Sequence, residues 1–402
     1  MKLFVHQQKL LDEFPKRHAL IWNCGTGKTR VSLELAAKVG EPFLIICPKG
    51  LKKNWAEEIK KWGKELPHLV VSKEEFKRDH QLIAPYKGVI VDEFHAFLGM
   101  KSQMMKSLKK YFQMYTTEYR YFLSATPYRS SPWDIYKMCE LIGKPLNYSW
   151  FERTFFNIVP MAGRMIPVAK KDIEPQIAEL VQKVGSTVKL EDCFDVPTQS
   201  YETEYFDLTP EQKKAIANIK EILPIVRYGQ EHQITGGTLK SDGYSPTQEF
   251  KSDKMDRLLE IVQDNNRTIV VCKYLHEVEV LMDKMLDLKL NVAKITGKVE
   301  DRHEILEILK RSSKYVLLVS AACCEGWELS DCPLMVFYSL DFQMLHEVQM
   351  RGRIQRGKNI KKNTYIYLTT KGSIDEEIFK TITIKKRNFL IEIYNERQSR
   401  KD

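Results

Sequence analysis

Two tandem doubly wound parallel α/β lobes are the fold this sequence predicts, and three observations predict it. Short β-branched runs alternate with helix-period segments in the first half of the chain, the same alternation recurs in the second half, and a stretch lacking it, from about 132 to 253, lies between. Strands are expected in the first half at 18–22, 43–47, 69–71, 88–92 and 120–124, and in the second at 268–272, 291–295, 315–320, 334–338 and 364–368. Turn signals such as Lys144-Pro145, Ile166-Pro167 and Val196-Pro197 punctuate the middle stretch. There 196–200 reads as a hinge, 201–208 as a strand opening the second lobe, and the polar segment 229–250 as a mobile loop. The expected domains are therefore 1–197 and 198–402.

Composition is consistent with that reading. The 402 residues suffice for two ordinary cores, and a hydrophobic fraction of 43% beside a charged fraction of 29% is that of a soluble globular protein. No apolar run reaches the length needed to span a bilayer, and the start Met1-Lys2-Leu3-Phe4-Val5-His6-Gln7 turns polar too early for a signal peptide, so a cytoplasmic protein, in the cell or in its host, is expected. The eight cysteines form neither a Cys-x-x-Cys pair nor a zinc-spaced cluster, and Cys47 and Cys272 sit in apolar runs, so they read as small buried hydrophobes. An excess of 63 Lys+Arg over 53 Asp+Glu, net +10, favours a polyanionic partner without identifying one. Oligomeric state is not legible, and a monomer is compatible with everything above.

The strand ending in Trp22 runs into Asn23-Cys24-Gly25-Thr26-Gly27-Lys28-Thr29 and then into a helical pattern. Gly25 and Gly27 can turn successive backbone N–H groups toward a phosphate and let its oxygens approach the main chain, while the following helix aims its positive end at the same place. Lys28 would neutralise the terminal phosphates and the Thr29 hydroxyl would hold Mg²⁺, so ATP hydrolysis with Mg²⁺ is the expected chemistry. The full phosphate-loop pattern has glycine at position 22, where this chain has Trp22. Asp92-Glu93-Phe94-His95 follows an apolar strand at the end where parallel sheets place ligands. Asp92 would hold the metal and Glu93 would orient and deprotonate the attacking water; alone, the same pair is equally a solvated turn. Ser124 and Thr126, in Ser124-Ala125-Thr126-Pro127, stand after another strand and can bond to the acidic pair. Far along the chain, Arg353 and Arg356 lie three residues apart on one helix face, as cis arginine fingers or as an ordinary basic face.

Taken together and in this order, Gly-Thr-Gly-Lys-Thr (25–29), Asp-Glu-Phe-His (92–95), Ser-Ala-Thr-Pro (124–127) and Gln-x-x-Gly-Arg-x-x-Arg (349–356) resemble the motifs of superfamily-two helicases and translocases over nearly the whole chain. Cys47-Pro48-Lys49-Gly50-Leu51, Leu208-Thr209-Pro210-Glu211-Gln212, and Gln233-Ile234-Thr235-Gly236-Gly237 followed by Ser252-Asp253-Lys254-Met255 are similar to the Swi/Snf branch, particularly its compact phage versions. The resemblance implies two RecA-like lobes with a nucleotide cleft between them and movement along DNA, with an RNA helicase or a non-catalytic nucleic-acid-binding module as alternatives. It also implies that Gln7 recognises adenine, that Gly326 contributes to ATP binding, that His95, Ser124, Thr126 and Gln349 couple hydrolysis to motion, and that Pro48, Lys49 and Ser320 touch nucleic acid. Cys323-Cys324-Glu325 stand where the family has small residues. Trp55 and Trp62 fall on an apolar helix face and read as core, and the stretch from Ile374 to Arg387 resembles a brace helix with a basic end.

Overall fold

The computed structural model describes residues 2–63, 66–98, 102–126, 131–161, 164–170, 173–193, 196–220, 223–240, 246–297, 299, 302–355 and 361–385. Pro127, Arg356, Lys386 and Arg387 lie outside them. The chain divides into two compact units, Met1–Asp195 and Val196–Asp402.

Unit one is built on strands β1 (Arg17–Trp22), β2 (Phe43–Cys47), β3 (Leu69–Ser72), β4 (Gly88–Asp92) and β5 (Tyr119–Ser124). It also holds β6 (Phe156–Met161), β7 (Arg164–Ala169) and β8 (Gly185–Val188). Six of these form one sheet in the order β3-β2-β4-β5-β1-β8, every pairing parallel. Its central strands are apolar on both faces, and helices cover each. One core packs around Val89, Val91, Phe122 and Ile135, the other around Leu20, Ile45, Tyr121 and Trp55. The five strands expected in this half are present. Strand β8 and the antiparallel β6–β7 hairpin were not anticipated, because the first is a short run of small residues and the second carries a proline in each strand.

Unit two comprises β9 (Thr198–Phe206), β10 (Thr238–Leu239), β11 (Gln248–Glu249), β12 (Arg267–Cys272), β13 (Val292–Ile295), β14 (Tyr315–Ser320), β15 (Leu334–Phe337) and β16 (Lys362–Thr370). The six-stranded sheet β13-β14-β12-β15-β16-β9 is again wholly parallel. Two expectations are corrected here. The hinge at 196–200 overlaps β9, which begins at Thr198 and pairs with β16 along its whole length. The segment 229–250 is not simply a loop: helix Pro224–Thr235 occupies its start and β10 pairs with β11 near its end, with 241–245 outside the described residues. Its polar residues misled because they serve buried bonds; Gln212 Nε2 donates to Ile234 O at 2.7 Å, and His232 and Thr235 are fully buried. Helix Ile374–Phe379 continues as one π-helical turn, Lys380–Ile384. Among the described residues no helix is long and apolar enough to cross a membrane.

Candidate functional site

In unit one the phosphate-type loop leaves the carboxyl end of β1. Gly25 and Gly27 both adopt left-handed angles, φ 85° and 83°, and Gly27 caps helix Lys28–Val39. Thr26 is buried and its hydroxyl donates to Asn23 O at 2.8 Å. The Lys28 ammonium donates to Trp22 O at 2.8 Å and Asn23 O at 3.2 Å. Trp22 in place of glycine is explained by its position as the last residue of β1: its indole is buried and donates to Ser186 Oγ on β8 at 2.9 Å. Strand β8 also supports the loop, since Asn23 N donates to Val188 O and Asn23 Oδ1 accepts from Leu190 N.

Gln7 is fully buried under this loop. Its Nε2 donates to Gly27 O at 3.0 Å and its Oε1 accepts from Phe4 N at 2.9 Å. Both ends of the amide already have partners, one of them the loop itself. A Cβ on Gly27 would lie 2.1 Å from Gln7 Nε2, in addition to the cost of a left-handed alanine, about 1 kcal/mol or more. Gly27→Ala is therefore expected to weaken ATP binding by tenfold or more, on the order of 1.4 kcal/mol, in a fluorescent-nucleotide titration. Affinity equal to the native chain would contradict the cradle role.

The acidic pair stands at the carboxyl end of β4, two strands from β1. Both carboxylates are buried. Asp92 Oδ2 accepts from Trp55 Nε1 at 2.9 Å, and Asp92 Oδ1 accepts from Glu93 N at 2.9 Å. Glu93 holds a left-handed backbone, φ 47°, an unusual conformation for glutamate and one that concentrates at functional positions. Its Oε2 lies 3.2 Å from His95 Nδ1 yet has no hydrogen-bond partner among the described residues. His95 Nδ1 lies 3.1 Å from Ser124 Oγ, and Ser124 Oγ accepts from Thr126 N. Glu93, His95, Ser124 and Thr126 thus form one continuous polar chain. Burial, and then the neighbouring Glu93 charge, push the Asp92 carboxyl up to about 6 against the Trp55 indole. Burial also opposes the Glu93 charge, but the His95 ring and the Lys28 and Lys73 ammonium groups outweigh it and hold Glu93 below the usual carboxylate range. The Lys28 and Lys73 ammonium groups favour the charged form of both carboxylates, and the loop and the acidic pair stand at the carboxyl edge of the same parallel sheet. Trp55 and Lys73 were not anticipated as site residues. Trp55 is core, as its spacing indicates, but nothing in that spacing shows its indole reaching Asp92.

Thr29 is the second residue of the helix and is half-buried. A threonine hydroxyl and an aspartate carboxylate are hard oxygen donors of the kind Mg²⁺ takes. Lys49 is exposed in the single turn Lys49–Leu51 that follows β2, and Pro48 is half-buried ahead of it.

In unit two, Ser320 ends β14 and is buried, and Gly326 takes a left-handed φ of 84°. Gln349, also buried, accepts from Cys324 Sγ at 2.8 Å through Oε1. Arg353 donates to Trp327 O at 2.9 Å and Gln349 O at 3.2 Å. The Gly326 turn, Gln349 and Arg353 therefore belong to one cluster of this unit, with Cys324 filling a role that small residues do not.

Residues 253–358, which contain this cluster, match the family model of the helicase conserved C-terminal domain. The chain-long relatives are of the same kind: chromodomain-helicase-DNA-binding protein 1-like of Danio rerio is 20% identical over 90% of this chain and 40% of its own length. The Mus musculus protein of that name is 19% identical over 87% and 44%. Unit two thus carries a helicase conserved C-terminal domain, and the chain as a whole is similar to chromodomain-helicase-DNA-binding proteins. The chain spans about two fifths of the length of those relatives. Among solved structures, a Sulfolobus solfataricus SWI2/SNF2 ATPase core in complex with dsDNA is 18% identical and covers 96% of this chain and 92% of that one, with a TM-score of 0.45.

Proposed function

We propose that this chain is an ATP-dependent motor that moves along DNA. The observation that carries the reading is that the Lys28 loop and the Asp92–Glu93 pair both leave the carboxyl edge of one parallel sheet, in a chain whose other unit matches a helicase domain. Lys28 and the loop N–H groups bind the terminal phosphates, Thr29 and Asp92 hold Mg²⁺, and the metal supplies charge neutralisation on the phosphate oxygens. Glu93 orients water and accepts its proton; its buried, ionised carboxylate suits that task. Gln7 and Gly326 belong to the nucleotide site, with Gln7 able to meet adenine only by giving up one of its two present bonds. Arg353 and Arg356 act as arginine fingers on the terminal phosphate. His95, Ser124, Thr126 and Gln349 relay the state of that phosphate, and Pro48, Lys49 and Ser320 grip the nucleic-acid backbone, which positions a strand without reading its bases. DNA is the favoured track, because the chain-long relatives are named as DNA-binding helicases.

Displacement of a third strand from a DNA triplex tests this directly. The native chain with ATP and Mg²⁺ is expected to release the third strand, and Arg353→Ala to bind ATP with affinity close to native but to displace it poorly. An active ATPase that never displaces the third strand would contradict translocation on duplex DNA.

A further inference from the structure

We infer that Cys193 and His6 form a thiol–imidazole pair that exchanges with small disulfides and thereby loosens the phosphate loop. The exchange stands on its own chemistry; its effect on ATP binding rests on the proposed motor. Of the eight cysteines six are buried, and only Cys24 and Cys193 are partly exposed. Cys193 lies in the turn that follows β8, with its Sγ 3.5 Å from His6 Nδ1. The other ring nitrogen, His6 Nε2, lies 2.8 Å from Thr26 O in the phosphate loop. A carbonyl only accepts, so Nε2 carries the hydrogen of the neutral ring and Nδ1 presents its lone pair to the thiol. Aromatic contacts hold the ring in that orientation, edge-on to Trp22 with centroids 4.8 Å apart and stacked on Phe4 at 5.7 Å. A nucleophile, a base and a group that orients the base thus stand in sequence, the arrangement that activates a thiol.

The thiol needs that base. Burial, and then the Asp192 and Glu191 carboxylates, push Cys193 up, so little thiolate forms unaided. Lys189 O, at 3.4 Å, offers the S–H a second acceptor but cannot take its proton away. In the exchange, Sγ passes its proton to His6 Nδ1 and attacks one sulfur of the reagent. A bond forms between Cys193 and that sulfur, the reagent's own S–S bond breaks, and the departing thiolate recovers the proton from Nδ1 to leave as a thiol. One half of the reagent is reduced while Cys193 is oxidised, so no further oxidant is required. The link to the loop is direct: His6 and Gln7 are consecutive on helix Val5–Glu13 and hold consecutive carbonyls, Thr26 O and Gly27 O. In a trans peptide the C=O and the following N–H point opposite ways, so these anchors aim the Gly27 and Lys28 N–H groups away from that helix and leave them to a phosphate. A substituent on the Cys193 sulfur crowds His6 and removes its S–H partner, which weakens the Thr26 anchor.

The test treats the full chain with cystamine at neutral pH and follows Cys193 by peptide mass mapping, beside a fluorescent-nucleotide titration. Native Cys193 is expected to react at least about tenfold faster than Cys193 in a His6→Phe variant, a modest share of what a positioned base supplies. Phenylalanine keeps the ring contacts with Phe4 and Trp22 while removing both nitrogens. Native Cys193 should also outpace the same thiol in the urea-unfolded chain, a comparison that needs no variant. The modified native chain should bind ATP about tenfold more weakly and recover with dithiothreitol. Cys193→Ser, which retains Cys24, should bind ATP like the native chain and be indifferent to cystamine. Equal reaction rates in the native and unfolded chains, native ATP affinity after full modification of Cys193, or lost affinity in treated Cys193→Ser would each overturn the inference. A native chain that binds no ATP would sink the motor reading alone, since the exchange rates need no nucleotide.

Discussion

Glu93→Gln is expected to bind ATP within about threefold of the native affinity and to lose turnover by about 10³-fold, the order expected when a positioned base is removed. The substitution keeps the side chain's size and its left-handed backbone, while removing the charge that the His95 ring and the Lys28 and Lys73 ammonium groups stabilise. In the proposed function nucleotide binding falls to other groups, chiefly the loop N–H groups and Lys28, so binding and turnover should separate. The comparison needs a nucleotide titration beside single-turnover phosphate release. Turnover within tenfold of native would remove Glu93 from the role of base and leave its buried charge unexplained.

The second large effect concerns stability. Lys254 and Asp375, 121 residues apart, form a buried ion pair in unit two, with Nζ 2.6 Å from Oδ2. Asp375 Oδ2 also accepts from Thr370 N at 3.0 Å, and His232 Nε2 lies 3.4 Å from Oδ1. Asp375→Asn strands a buried ammonium and is expected to cost about 3–5 kcal/mol in chemical denaturation, whereas Lys254→Met with Asp375→Leu removes both charges and should recover much of the loss. A single-variant cost below about 1 kcal/mol, the level of an exposed pair, would show that the network carries little of the fold.

The same network sets a pH window. Burial works against the Asp375 charge, but Lys254 and then His232 pull the carboxyl down to about 2 from 3.8. The folded state thus binds this proton less readily than the unfolded chain, so the contribution is complete above pH 3.8 and is lost as pH falls through about 2. Glu277 acts in the opposite sense. Burial lifts it to about 7 from 4.5, so its contribution is full below pH 4.5 and declines as pH rises through 7. Unit two should accordingly be most stable in mildly acidic solution as far as these two groups decide it, and Glu277→Gln should flatten the decline on the neutral side.

What the sequence discloses is local, and what it conceals is pairing at a distance. The strands of both parallel sheets announce themselves as apolar runs such as Phe43–Cys47 and Tyr315–Ser320, because burial on both faces forces that composition. The loop at Gly25 and Gly27 is legible from glycine's freedom at positive φ, and Asp92-Glu93 from two charges directly after a buried strand. No local pattern announces that the Trp55 indole meets Asp92, that β8 holds Asn23 in place, or that Lys254 finds Asp375. The β6–β7 hairpin stayed hidden for a different reason: its prolines and exposed apolar residues violate the usual strand pattern. Trp22 shows the converse, a departure from a motif made harmless by its placement in the core.

The central claim is that one chain joins a phosphate loop, an acidic strand end and a helicase domain into a nucleic-acid-driven ATPase. Phosphate release from Mg²⁺-ATP, measured for the native chain alone and with duplex DNA, tests it most directly. The account predicts release that rises at least about tenfold with DNA and disappears in Lys28→Ala, as expected when the cation on the terminal phosphates is removed. A native chain that releases no phosphate with DNA or RNA present, or a Lys28→Ala variant that releases it at the native rate, would contradict it.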